Sequence, residues 1–156
     1  MALRTGHVGL NVTNLARSQA FYESVFGLTQ LAASTEEGRR FALLGNPDVE
    51  SDDFLDQLAI TLWEQADGGF SPSTPGLHHL AFHVASVAEV ERVRAQLSEM
   101  DVELLYEGEV VPHSEDFGSG GIFFRDPDGT RLEVCAPAGV PSEKAVSGAA
   151  PSCGFF

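Results

Sequence analysis

The sequence predicts an α+β domain made of two related halves, each running strand, helix and then three strands. Three observations carry that expectation. Near the start, Gly6-His7-Val8-Gly9-Leu10-Asn11-Val12 alternates apolar with small or polar residues, and Leu77-His78-His79-Leu80-Ala81-Phe82-His83-Val84 repeats the pattern. Successive side chains of a strand point to opposite faces, so both stretches read as half-buried strands with histidine on the less apolar face. After each comes an amphipathic helix followed by short alternating runs, in the same order both times.

The repeat keeps a constant offset. His79 follows His7 by 79 − 7 = 72 positions, and the same spacing pairs Leu10 with Phe82, Val12 with Val84, Leu15 with Val87 and Val25 with Leu97. At the far end, Leu58-Ala59-Ile60-Thr61-Leu62 falls on Thr130-Arg131-Leu132-Glu133-Val134. One self-similar period is too few copies for a solenoid and implies two halves of one domain.

In the first half, Thr13 or Asn14 is placed to cap a helix with Leu15, Phe21, Tyr22, Val25 and Phe26 roughly on one side, and Gly27 to end it. Leu28 to Ala33 and Arg39 to Leu44 read as strands about a turn at Glu36-Glu37-Gly38, residues 45–54 as a loop, and Gln57 to Trp63 as the closing strand. In the second half the expected elements are a strand over 78–84, a helix from Val87 to Met100 and a strand from Val102 to Tyr106. Residues 107–121, rich in glycine and polar groups, read as a mobile loop and candidate lid, with His113 a solvated member. Ile122 to Arg125 and Thr130 to Cys135 make a hairpin about Asp126-Pro127-Asp128-Gly129. The expected boundaries are one domain over 1–137, with module one at 5–65, a Gly/Pro/Ser-rich linker at 66–76 and module two at 77–137. Residues 138–156 read as an irregular tail whose Phe155 and Phe156 are available to a partner subunit.

Composition narrows the partners. With 156 residues the chain fits one domain with a real core. No apolar run approaches the roughly 20 residues of a membrane span and no apolar signal segment opens the chain, so a cytoplasmic location without membrane contact is expected. Twenty-three acidic against nine basic residues give a formal charge of −14, which repels phosphate backbones and argues against nucleic acid. Solubility, or attraction of a cationic small molecule, accounts for the acidity. Cys135 and Cys153 make no disulfide framework and are expected as reduced thiols.

Pseudo-symmetry that sets the two histidine strands side by side brings His7 and His79 to one cavity. Glu133 alternates with Leu132 and Val134, so it shares a face with Arg131 and points away from the core side. Two imidazoles and one carboxylate on strands match the facial triad that holds a divalent metal with open coordination positions.

Those residues, with Phe21-Tyr22, Phe26-Gly27-Leu28, Gly76-Leu77-His78-His79-Leu80-Ala81-Phe82 and Phe124-Arg125-Asp126-Pro127-Asp128-Gly129-Thr130-Arg131-Leu132-Glu133, resemble the vicinal oxygen chelate superfamily. That superfamily includes glyoxalase I, extradiol dioxygenases, fosfomycin resistance enzymes and bleomycin resistance proteins, and the resemblance runs from about Thr5 to Ala136. It implies two βαβββ modules forming a curved, cup-like mixed sheet with helices on the outer face. It also implies a divalent metal on His7, His79 and Glu133, a small-molecule substrate and a homodimer. Asn11, Thr61, His83, Phe123 and Arg131 are the expected substrate-pocket residues.

Departures from the family pattern sort the activities. Glyoxalase-type members usually carry a fourth ligand where this chain has Thr61, and a neutral hydroxyl replaces a carboxylate or amide poorly. Three ligands fit the extradiol pattern with Fe(II), Zn, Mn and Ni being alternatives. Extradiol enzymes also carry an acid/base histidine and a tyrosine at the positions of Glu64 and Phe123. Arg131 and Arg125 are the obvious cations for a phosphonate, Arg125 reading as structural. The expectation is therefore a metal-dependent enzyme that chelates two adjacent oxygens of a small substrate, leaning towards an Fe(II) dioxygenase-like reaction. The alternatives are non-catalytic sequestration of a drug or metabolite, as in bleomycin resistance proteins, and a glyoxalase-like lyase.

Overall fold

The computed structural model describes residues 5–46, 59–113 and 118–141. The chain divides into two compact units, Met1–Phe70 and Ser71–Phe156, each built on its own four-stranded mixed sheet with one long helix. In the first unit the elements are β1 (Val8–Val12), α1 (Leu15–Phe26), β2 (Thr29–Glu36), β3 (Arg39–Gly45) and β4 (Ala59–Glu64). In the second they are β5 (Leu80–His83), α2 (Val87–Glu99), β6 (Val111–Pro112), β7 (Gly120–Arg125) and β8 (Arg131–Ala136).

The first sheet has the order β1-β4-β3-β2, with β1 parallel to β4 and the other pairs antiparallel. Leu10, Val12, Ala42, Leu44, Ile60 and Leu62 are buried, and Leu15, Phe21, Tyr22 and Val25 of α1 are buried with them. Asn14, not Thr13, caps the helix by accepting from the Arg17 N–H at 2.9 Å. Gly27 ends it in the left-handed conformation at φ 64°, where a side chain would be strained. Glu64 reaches back across the unit: its Oε2 accepts from the Leu15 N–H at 2.7 Å and its Oε1 pairs with Arg40 at 2.8 Å. The residue at the expected acid/base position is thus a structural clamp on the helix start.

The second sheet repeats the plan as β5-β8-β7-β6, with β5 parallel to β8. Its core holds Phe82, Val90, Val93, Leu97, Ile122, Phe124, Leu132 and Val134. Ser86 caps α2, while Glu89 accepts from the Ala85 N–H at 2.7 Å, a reciprocal arrangement close to a capping box. Aligned ends confirm the sequence repeat. Val8 pairs with Ile60 and Leu80 with Leu132, each partner displaced by 72 positions, so Thr61 and Glu133 are structural counterparts. In between, the β3 and β7 ends are displaced by 125 − 45 = 80, because unit one has its longest connection between β3 and β4 and unit two has its longest between α2 and β6.

Three expectations for the second unit are corrected. The histidine strand begins at Leu80, leaving His78 and His79 just ahead of it. No strand spans 102–106: Leu104 makes one isolated bridge to Phe124, and Asp101, Tyr106 and Glu107 take positive φ, which breaks the extended run. The edge of β7 is covered instead by this bridge at one end and β6 at the other, with a 3-10 turn over Tyr106–Gly108 between them. The lid expected over 107–121 is, in its described part, packed structure: Val111, Pro112 and His113 are buried, and Gly120 and Gly121 belong to β7. A Cβ on Gly121 would collide with the Val134 carbonyl and Cys135, so the glycines serve close strand approach. The tail begins ordered, with Val140 buried and its N–H donating to the Gly118 carbonyl at 2.8 Å, while Cys153, Phe155, Phe156 and most of the 45–54 loop lie outside the described residues.

Candidate metal centre

Strand β8 positions the centre. Alternation sends Leu132 and Val134 to one face and Arg131, Glu133 and Cys135 to the other. Glu133 lies in register between Ala81 on β5 and Phe123 on β7, and it is wholly buried. A buried carboxylate is costly without partners, and its two oxygens are served from different elements. Oε1 lies 2.5 Å from Nε2 of His113, and Oε2 lies 3.4 Å from Nε2 of His79. The donor atoms of His113, Glu133 and Cys135 all fall within 4.8 Å of one another, and all three residues are buried.

Hydrogen bonding orders this cluster at both ends. The other ring nitrogen of His113 is 3.1 Å from the Ser119 hydroxyl, so the imidazole is held at both nitrogens. On the other side, Nδ1 of His79 meets Nδ1 of His78 at 2.8 Å, and Nε2 of His78 meets an Arg131 guanidinium nitrogen at 3.3 Å. Burial lowers the pKa of His79 below the usual 6.5, with Glu133 opposing and His78, Arg131 and His113 assisting. That favours the neutral imidazole; ligation through Nε2 would need its single proton on Nδ1, towards His78. Burial, reinforced by the Glu133 carboxylate, pushes the Cys135 thiol up to about 12, so it is protonated at neutral pH.

The donor set fits a divalent ion at Glu133. Atoms about 2.1 Å from one ion at tetrahedral or octahedral angles lie roughly 3.0–3.4 Å apart, which matches the 3.4 Å between His79 Nε2 and Glu133 Oε2. The 2.5 Å between His113 and Glu133 is hydrogen-bond spacing, shorter than two donors on one ion. His113 therefore holds the carboxylate by a hydrogen bond, as outer-shell partners of metal ligands do.

Among the residues singled out from sequence, His79, Glu133, Phe123 and Arg131 gather in the second unit. Phe123 is buried with its ring centroid 6.1 Å from that of His79. His83, at the end of β5, is exposed. His7, just ahead of β1, and Asn11 are exposed in the first unit, where the Asn11 amide oxygen accepts from Gln65 at 2.7 Å. Thr61 is buried in β4 beside Gly9. His113 is corrected from solvated loop residue to buried partner of Glu133. Sequence reasoning missed its role because nothing in 107–121 shows the β6–β7 pairing that carries it there; Cys135, by contrast, follows from alternation with Glu133.

Comparison with known proteins agrees with this architecture. The family model described as the Glyoxalase/Bleomycin resistance protein/Dioxygenase superfamily matches residues 4–134. A glyoxylase/bleomycin resistance protein/dioxygenase domain from Frankia sp. EAN1pec is 25% identical with a TM-score of 0.72, covering 88% of this chain and 99% of its own. A mutant of the fosfomycin resistance protein FosX from Listeria monocytogenes, solved with Mn(II) and 1S,2S-dihydroxypropylphosphonic acid, is 20% identical with a TM-score of 0.66, covering 92% and 98%. A lactoylglutathione lyase from Agrobacterium tumefaciens is 20% identical with a TM-score of 0.58, covering 86% and 92%. No curated protein matches the chain in sequence. With the family model spanning most of its length and both βαβββ units in place, the chain belongs to the glyoxalase/bleomycin resistance protein/dioxygenase superfamily.

Proposed function

We propose that this chain is a divalent-metal enzyme that takes two adjacent oxygen atoms of a small substrate, with His7, His79 and Glu133 holding the ion. The observation that carries the reading is Glu133: wholly buried, with one oxygen held by His113 and the other facing His79 at ligand spacing. When bound, the ion would supply Lewis-acid polarisation of the chelated oxygens. The chain's own residues do the rest. His113, fixed by Ser119, aims the carboxylate; His79 is kept neutral by burial; Phe123 walls the site beside His79 with a ring that has no proton to give. Within this reading Fe(II) and an oxygen-dependent cleavage of a vicinal diol are favoured by the three-ligand set, since Thr61 stands where a fourth ligand would be. The assembly that goes with it is a cytoplasmic homodimer.

Metal analysis of protein purified without added metal tests this, with one ion per chain expected. His7→Ala and His79→Ala lose the ion, whereas His113→Ala weakens it. An ion retained by both of the first two but abolished by His113→Ala would relocate the centre to His113, Glu133 and Cys135. Oxygen uptake with catechol tests the reaction, and tight ligand capture that survives chelation and returns the ligand unchanged would contradict an enzyme.

A further inference from the structure

Arg131 combines features that the ion alone does not use. It lies on the same face of β8 as Glu133, two residues away, or about 7 Å along the strand. One guanidinium nitrogen touches His78, but Nε is buried and has no hydrogen-bond partner among the described residues. Arg40, Arg92, Arg94 and Arg125 each pair with a glutamate and Arg39 lies over the Phe41 ring, whereas among the described residues neither a carboxylate nor a ring face meets Arg131. A buried donor left unmade costs roughly 1–3 kcal/mol, and a chain of formal charge −14 has carboxylates to spare for it. Keeping this cation without a carboxylate beside the centre implies a ligand that completes it.

We infer that Arg131 is the specificity-determining residue for an anionic substrate, binding an oxyanion carried a few bonds from the two oxygens that the ion would chelate. The guanidinium fork suits a carboxylate or a phosphonate, which accept two parallel N–H donors. His78 braces the guanidinium on its other side and in turn touches His79, so the anion anchor and the proposed ligand are joined through one imidazole. The chain's net charge repels anions at long range, so this attraction is local and short-range. The inference rests on the metal-chelation reading of the same site, and the test separates the two.

Calorimetry on anaerobic Mn(II)-loaded protein would compare catechol with 3,4-dihydroxybenzoate and 3,4-dihydroxyphenylphosphonate. The same diol is thus offered without and with an anion of each kind. Wild type is expected to bind at least one anionic probe about tenfold or more tighter than catechol, a step of one charge-assisted contact, and the tighter of the two identifies the anion. Arg131→Gln reduces that ratio to near one; Arg131→Lys retains part of it. Equal binding of all three probes by wild type, or a preference that persists in Arg131→Gln, overturns the inference while leaving chelation standing. Catechol binding that is indifferent to removal of Mn(II) sinks the chelation reading, yet a preference lost in Arg131→Gln would still establish the anion anchor. Binding of none of the probes overturns both.

Discussion

Glu133 concentrates the residue-scale consequences, because three side chains depend on its charge. His113 holds one oxygen, so His113→Ala removes that hydrogen bond and frees the carboxylate to turn. Metal affinity is expected to fall about 10- to 100-fold, as for other outer-shell partners, with partial recovery in His113→Gln; an unchanged affinity by isothermal titration would contradict the orienting role. Cys135, its thiol at about 12, is expected to resist alkylation at pH 8 in the native state and to react on unfolding, as read by site-mapped mass spectrometry. Native-state labelling as fast as that of the unfolded chain would contradict its burial. His79 gives a pH dependence whose sign follows from its lowered pKa. Between the folded value and 6.5 the unfolded chain binds the proton and the folded one does not, so stability rises with pH through that window and is flat above it. Denaturant midpoints of the metal-free protein, wild type minus His79→Gln, are expected to fall as pH drops below 6.5; a rise would contradict the burial effect.

Strand β8 and its neighbours carry the next scale. Gly121→Ala drives a methyl group into the β8 backbone and Cys135, and is expected to cost about 1–3 kcal/mol in urea unfolding; a neutral substitution would show that β7 and β8 are less closely set. Legibility also divides along elements. Both helices to within a residue, the start and stop signals of α1, and strands β1, β4 and β8 are readable, because each shows a clean period. The β8 alternation likewise disclosed Glu133. The run 102–113 was not readable, since its order comes from positive φ at Asp101, Tyr106 and Glu107 and from pairing with a distant strand, neither of which leaves a period in the sequence. His113 was misread for the same reason, as its burial is a product of that pairing.

For the whole molecule, the duplication explains why an offset of 72 survives although the loops of the two units differ: the long connection merely changes place. The proposed ion binds only the folded chain, so added Mn(II) is expected to raise the unfolding midpoint with concentration, an effect absent in Glu133→Gln. The proposed dimer is checked by light scattering, where a monomer would contradict it. The most direct measurement is anomalous diffraction from crystals soaked in Mn(II). One ion is expected within about 2.0–2.3 Å of His79 Nε2, a Glu133 oxygen and a His7 nitrogen. An ion seated on His113 and Cys135, or no ion at Glu133 at all, would contradict the centre proposed for this chain.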